Sequence, residues 1–183
     1  MRYDAELLQR VEQGSETSTL RFFRFSRPTV SYGRLQKLRD VTALVPTGWE
    51  VVQRPTGGGI VFHQDDFCFS LCWKAGSGPM SFRPQEQYRW IHSVVLDALN
   101  EEKRMRMAAC CEAVPSGERF AVRTCFQNPV RYDLLRGQEK ILGGALRCTR
   151  RATLYQGALQ ILISPKQEAH LRAAFSSRLN ENR

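Results

Sequence analysis

Lys140-Ile141-Leu142-Gly143-Gly144-Ala145 sets an ammonium beside two glycines on an otherwise apolar run. The glycines remove side chains from a strand where a ligand could lie. The ammonium can reach a carboxylate, an acyl oxygen or a phosphate. A surface lysine in a hairpin is the plainer reading of the same residues. Upstream, Arg54-Pro55-Thr56-Gly57-Gly58-Gly59-Ile60-Val61-Phe62-His63 puts three consecutive glycines between two apolar runs. Repeated glycine costs chain entropy, so a fold keeps it where φ must be positive or where something lies against the backbone. Exposed amides there form an anion-binding concavity to which Arg54 adds fixed charge; the alternative is a tight strand-to-strand turn. His63 is a pocket wall or a satisfied structural histidine. Cys125, read by residue type alone, is one more packed thiol. Leu154-Tyr155-Gln156-Gly157-Ala158-Leu159 places a further glycine in a strand.

Composition narrows the classes. The chain has 183 residues, enough for one domain (residues 1–183) with a proper core and no staples. No apolar run approaches the roughly 18 residues of a membrane span, and the start of the chain lacks a signal-type apolar core. Six cysteines contain no C-x2-C pair and histidines are few, which argues against a structural zinc site; no metal is expected. Reduced thiols point to the cytoplasm. The net charge of +9, from 27 basic and 18 acidic side chains, invites a nucleic-acid reading. No helix-turn-helix, zinc-finger or RNP-type signature accompanies it. An acidic protein partner or an anionic nucleotide accounts for the charge equally well.

The elements that must position these residues follow from periodicity. Helices are expected at 3–13, 39–45, 84–103 and from 165 to about 179, the third opening on Pro84. Its predicted buried face is Trp90, Ile91, Val94, Val95, Ala98 and Leu99. Strands are expected at 20–25, 30–33, 49–53, 60–62, 121–126, 132–135, 141–147 and 153–163. Phe67, Phe69, Leu71 and Trp73 alternate with Cys68, Ser70 and Cys72 in an unambiguous period of two. Residues 112–118 read as a polar loop. Many strands joined by short turns, with a few helices, define an α+β fold on a largely antiparallel, mixed sheet.

In chain order these segments resemble the lipoate–protein ligase and octanoyltransferase superfamily, whose catalytic domain is shared with biotin–protein ligases. Arg54 to His63 is similar to the family's R-x-x-G-G-G-x-V-x-H segment. Asp66-Phe67-Cys68-Phe69-Ser70-Leu71 looks like the strand that follows it. Lys140 to Ala145 resembles K-I-x-G-x-A, and Leu154 to Leu159 resembles L-x-x-G-x-L. Tyr32-Gly33-Arg34-Leu35-Gln36 looks like the G-R-x-Q turn. Cys125-Phe126, Pro129, Tyr132-Asp133-Leu134 and Lys140 are similar to the run in cysteine-dependent octanoyltransferases, where the cysteine accepts the acyl group. Departures stand at Leu146, where the family often has Gln, and at Tyr155, where many members have His. The chain ends soon after the helix at Pro165, so the accessory C-terminal domain of stand-alone lipoate ligases is absent from the expected organisation.

The resemblance implies transfer of an octanoyl or lipoyl group to a lysine of a lipoyl carrier domain. Lys140 would hold the acyl carbonyl or an adenylate phosphate, and Cys125 is the candidate acyl acceptor. Arg54, Gly57, Gly58, Gly59, His63, Gly143, Gly144, Ala145 and Gly157 would line an acyl tunnel. No tightly bound cofactor is implied; the donor is a lipoate or octanoyl substrate, with ATP and Mg if the chain is a ligase. The implied partners are an acidic lipoyl domain or H protein, an acyl carrier protein, and a separate accessory domain in the ligase case. Neither nucleic acid nor membrane is implied. A catalytically silent acyl-binding or carrier-docking module is the alternative from another class.

Overall fold

Alternation decides the central sheet. In β5 (Phe67–Lys74), Phe67, Phe69, Leu71 and Trp73 are buried on one face, while Cys68, Ser70 and Cys72 are buried on the other. A strand buried on both faces must be covered on both. The computed structural model describes residues 1–77, 83–100, 104–109, 126 and 129–180. Its elements are α1 (Arg2–Glu12), β1 (Ser18–Phe23), β2 (Thr29–Tyr32), α2 (Leu38–Thr42), β3 (Glu50–Gln53), β4 (Val61–His63), β5, α3 (Pro84–Leu99), β6 (Met105–Met107), β7 (Leu134–Arg136), β8 (Glu139–Cys148), β9 (Ala152–Leu159) and α4 (Pro165–Asn180). The polar loop expected at 112–118, and the strand expected at 121–126 apart from Phe126, lie outside the described residues, as does Cys125.

The main sheet has the order β1-β5-β9-β8-β7-β6 and is antiparallel throughout. A second sheet, β3-β2-β4, has one parallel pair, β2 with β3. The fold is therefore α+β on mostly antiparallel sheets, as the sequence led us to expect. One face of the main sheet packs on α3 and α4, with Ile91, Val95, Leu171 and Phe175 meeting Phe69, Leu142 and Tyr155. On the opposite face, Leu7, Leu8 and Val11 of α1 cover Cys72, Ala152 and Leu154. The three-stranded sheet shares that side, where Val61 packs on Cys68 and Ala158.

Helix α3 opens on Pro84, and Glu86 accepts from the Arg83 amide. It stops at Leu99, short of the expected residue 103. There Asn100 turns back and exchanges two hydrogen bonds with Met105, of 2.9 and 3.0 Å, which starts β6.

Strand β8 carries a bulge. Leu134 faces Leu142 but Leu135 faces Lys140, so Ile141 is the extra residue. Both Ile141 and Leu142 consequently turn into the helix-side core, and Lys140 lies on the same side of the strand as Gly143.

The glycine segment is the β3–β4 connection. Gly58 takes φ +91°, a conformation an L side chain rarely adopts. Gly33 explains the close packing there: a Cβ on it would run into the Gly58 carbonyl oxygen and the Gly57 backbone, whereas a Cβ on Gly57 would meet nothing. Gly33→Ala is expected to cost about 1–3 kcal/mol, because a backbone must move to admit it. Gly57→Ala should stay within about 0.5 kcal/mol of the parent. Urea unfolding of the two variants checks the contrast.

Candidate active site

A narrow slot opens between the main sheet and the small sheet. Its cavity volume is ≈ 30 Å³. Its wall is almost wholly apolar. Gly143, Gly144 and Ala145 of β8 and Gly157 of β9 form its floor, and Phe23, Val61, Cys68, Met1 and Phe126 also line it. Of the residues read as tunnel-lining, Arg54, His63, Gly143, Gly144, Ala145 and Gly157 are in this wall. Gly57, Gly58 and Gly59 are not; they reach it only through Arg54.

Arg54 is turned inward rather than towards a polar mouth. It is buried and donates to the carbonyls of Ser31 (2.8 Å), Gly57 (3.2 Å) and Gly59 (2.6 Å). A guanidinium with a fixed fork of donors is suited to binding several carbonyls at once. It also donates to Ser31 Oγ at 2.7 Å, which leaves the serine proton to point at His63 Nε2, 2.5 Å away. His63 Nδ1 lies 2.6 Å from Asp66 Oδ2. A buried cation and a buried carboxylate are thus joined through a serine and a histidine, and the glycine turn is fastened to that chain.

His63, Asp66 and Cys68 are the one group of metal-ligand side chains within mutual reach among the described residues, their donor atoms within 4.8 Å of one another. They already bond to each other, with Cys68 Sγ 3.4 Å from Asp66 Oδ2. Burial, and then the Asp66 charge, push the Cys68 thiol well above its ordinary range. A thiol held protonated is a poor nucleophile, so Cys68 is a wall of the slot. Burial likewise pushes Cys72 up to about 12.

Lys140 is buried beside the slot. Its ammonium pairs with Asp133 Oδ2 at 2.7 Å, both side chains being almost fully enclosed. It lies 5.1 Å from the centre of the Phe126 ring. A Cβ on Gly143 would land on Lys140 Cε and Nζ, so that glycine clears room for the ammonium. Gly144 and Gly157 clear room on the helix side instead: a Cβ on either would strike the Tyr155 side chain. The two departures, Leu146 and Tyr155, both pack into the helix-side core, across the sheet from the slot.

Sequence reasoning missed the polar groups that hold this machinery. Asp4 of α1 is fully buried and binds Arg21, Ser70 Oγ and Gln156 Nε2. Gln156 also accepts from Thr56 Oγ1 at 2.7 Å, tying β9 to the glycine segment. The amphipathic pattern of α1 gave no hint of a buried acid.

His92 of α3 is enclosed. Burial, with the Lys140 charge as a lesser cause, lowers it from 6.5 to about 3, against a raising contribution from the Tyr132 carbonyl. As the neutral ring it donates from Nδ1 to Tyr132 O (2.8 Å) and accepts at Nε2 from the Tyr155 hydroxyl (2.7 Å). Because the folded value lies below the unfolded one, the unfolded chain takes the proton first. This contribution to stability is complete above about pH 6.5 and is lost as the pH falls towards about 3, at up to about 1.4 kcal/mol per pH unit. Urea unfolding across that range should show the decline, and His92→Gln should flatten it.

An α+β fold with a glycine-fastened, apolar slot and a buried lysine at its edge defines the class. The family model "Lipoyl protein ligase A/B catalytic domain" matches residues 1–180, and the chain belongs to that family. Among its relatives, the octanoyltransferase LipM of Kyrpidia tusciae is 26% identical over 91% of this chain. That of Geobacillus kaustophilus is 30% identical over 87% of it. The chain spans 62% and 59% of the lengths of these two proteins. Among solved structures, lipoate-protein ligase A bound with ATP shares the fold at a TM-score of 0.71 and 19% identity, covering 97% of this chain and 78% of that one. The bipartite lipoate protein ligase of Thermoplasma acidophilum, described alongside its E2 lipoyl domain, gives 0.55 at 20% identity, covering 97% and 66%.

Proposed function

We propose that this chain is an acyltransferase that places an octanoyl or lipoyl group on a lysine of a lipoyl carrier domain. The observation that carries the reading is the Lys140 ammonium held at the edge of an apolar slot whose floor is glycine backbone. A narrow apolar slot suits an unbranched acyl chain. An acyl carbonyl beside Gly143 would come within reach of Nζ, which stabilises the negative charge that develops on its oxygen. Family membership and the LipM relatives support the same chemistry.

In this reading Cys125 is the acyl acceptor. Its thiol attacks an octanoyl thioester on a carrier, the carrier thiol leaves, and Cys125 becomes the thioester. The lysine amine of the lipoyl domain then attacks that carbonyl, forming an amide and releasing the Cys125 thiol. Phe126, the next residue, lines the slot and sets its ring against Lys140 Nζ, which supports a nucleophile carried by this segment. The protonated state of Cys68 supports it further.

The acceptor is read as a lipoyl domain because a fold relative is described with an E2 lipoyl domain of its own, and the donor as an acyl carrier protein. The +9 charge suits an acidic partner. We read the chain as a single catalytic domain of the cytoplasm, its Cys68, Cys72 and Cys148 being unpaired. Among the described residues, no helix is long and apolar enough to cross a membrane.

Incubation with octanoyl-carrier thioester should add one octanoyl mass to the protein, released by hydroxylamine. Cys125→Ser should abolish both the adduct and transfer to a lipoyl domain, a hydroxyl being a far weaker nucleophile. Full activity of Cys125→Ser, with turnover of lipoate and Mg-ATP, would make the chain a ligase, working with a separate accessory domain and treating Cys125 as a packed thiol.

A further inference from the structure

Tyr132 has φ 75°, the one non-glycine residue with positive φ among the described residues. A bulky L-residue stays in that region only when its surroundings over-determine it. Here they do. Its amide donates to Ala108 O at 2.9 Å, and the Ala108 amide donates to Asp133 O at 2.8 Å. Its carbonyl accepts from His92. The next residue, Asp133, is fully buried. Its Oδ2 accepts from the Val130 amide and from Lys140 Nζ, both at 2.7 Å, and its Oδ1 accepts from Tyr88 OH at 2.5 Å. The Tyr88 oxygen in turn accepts from the Gly144 amide on the strand that carries Lys140. Burial and Asp133 push Tyr88 well above its ordinary range, so its proton stays available to the carboxylate.

We propose that Asp133 is a positioning residue: it holds the Lys140 ammonium at the slot, and the left-handed turn at Tyr132 aims it there. A four-carbon side chain on a strand has many rotamers, and a preorganised cation is worth most when none must be sought at the moment of reaction. Two donors, the Val130 amide and the Tyr88 hydroxyl, fix the carboxylate, and the carboxylate fixes the amine. The inference rests on Lys140 being the working cation of the proposed transfer.

The experiment compares wild type, Asp133→Asn, Asp133→Glu and Tyr88→Phe, each checked for native circular dichroism. The amine of Lys140 is probed with an N-hydroxysuccinimide acetate pulse and read by peptide mass. Its labelling should rise about tenfold in Asp133→Asn, since the amine loses its buried counter-charge, and by a smaller factor in Tyr88→Phe. In octanoyl transfer, Asp133→Asn should lower kcat with KM for the donor unchanged, and Asp133→Glu should recover part of that loss. A pair that only braced the fold would change stability and leave kcat alone. Wild-type labelling of Lys140 in folded Asp133→Asn overturns the proposal; should that variant not fold, wild-type labelling in Tyr88→Phe overturns it. If wild type transfers no octanoyl group but the labelling rises as stated, Asp133 still positions Lys140 and only the transferase reading falls.

Discussion

Lys140→Ala should lower octanoyl transfer by about 100-fold or more, the scale for deleting one preorganised charge stabiliser. It should not be a silent change for the fold. Asp133 would be left as a buried carboxylate without its cation, and breaking such a pair costs on the order of 3–5 kcal/mol. Activity and stability therefore have to be separated. Lys140→Met combined with Asp133→Asn removes both charges and keeps one of the two acceptors, an amide oxygen for the Val130 amide, while the Asn NH2 faces the Tyr88 oxygen. That double variant should regain most of the lost stability in urea while transfer stays at the level of Lys140→Ala. Recovery of transfer along with stability would show that Lys140 acts only as a structural cation.

Gly143→Ala should be nearly as damaging without removing any ionisable group. The new methyl would occupy the place of Lys140 Cε and Nζ, and the flexible end of a lysine can swing away where a backbone could not. The chain should still fold, less stably because the displaced ammonium is parted from buried Asp133, and kcat should fall by about 100-fold, as when the charge is removed outright. Steady-state kinetics with octanoyl-carrier thioester, beside a thermal melt, checks both halves. Transfer within a few-fold of the parent would mean that the lysine works from another rotamer.

Local pattern reached some of this and not the rest. The period of two from Phe67 to Trp73 needed no partner to be read, because both faces of β5 are buried and the alternation sorts one set from the other. Arg54, His63 and Lys140 were legible as chemistry-bearing types, but not the direction each would point. Arg54 turned out to hold carbonyls of its own loop. Tyr132 read as the start of a strand, since tyrosine favours strands. A hydrogen bond from its amide to the Ala108 carbonyl and one accepted from His92 overrule that preference. Tyr88 and His92 come from a helix whose periodicity marks only an apolar face, so nothing local announces their polar work. Strand β6, at three residues, is too short to show a period at all.

The bulge at Ile141 turns a matter of spacing into one of parity. In an unbroken strand, residues three apart point to opposite sides, so a lysine and a glycine separated as Lys140 and Gly143 are would never meet. The extra residue opposite Leu134 and Leu135 makes an odd separation behave as an even one. Any graft of this lysine strand onto another sheet must carry the β7 edge that accepts the surplus residue. Without it, the same six letters would send the cation into the hydrophobic layer beneath α3.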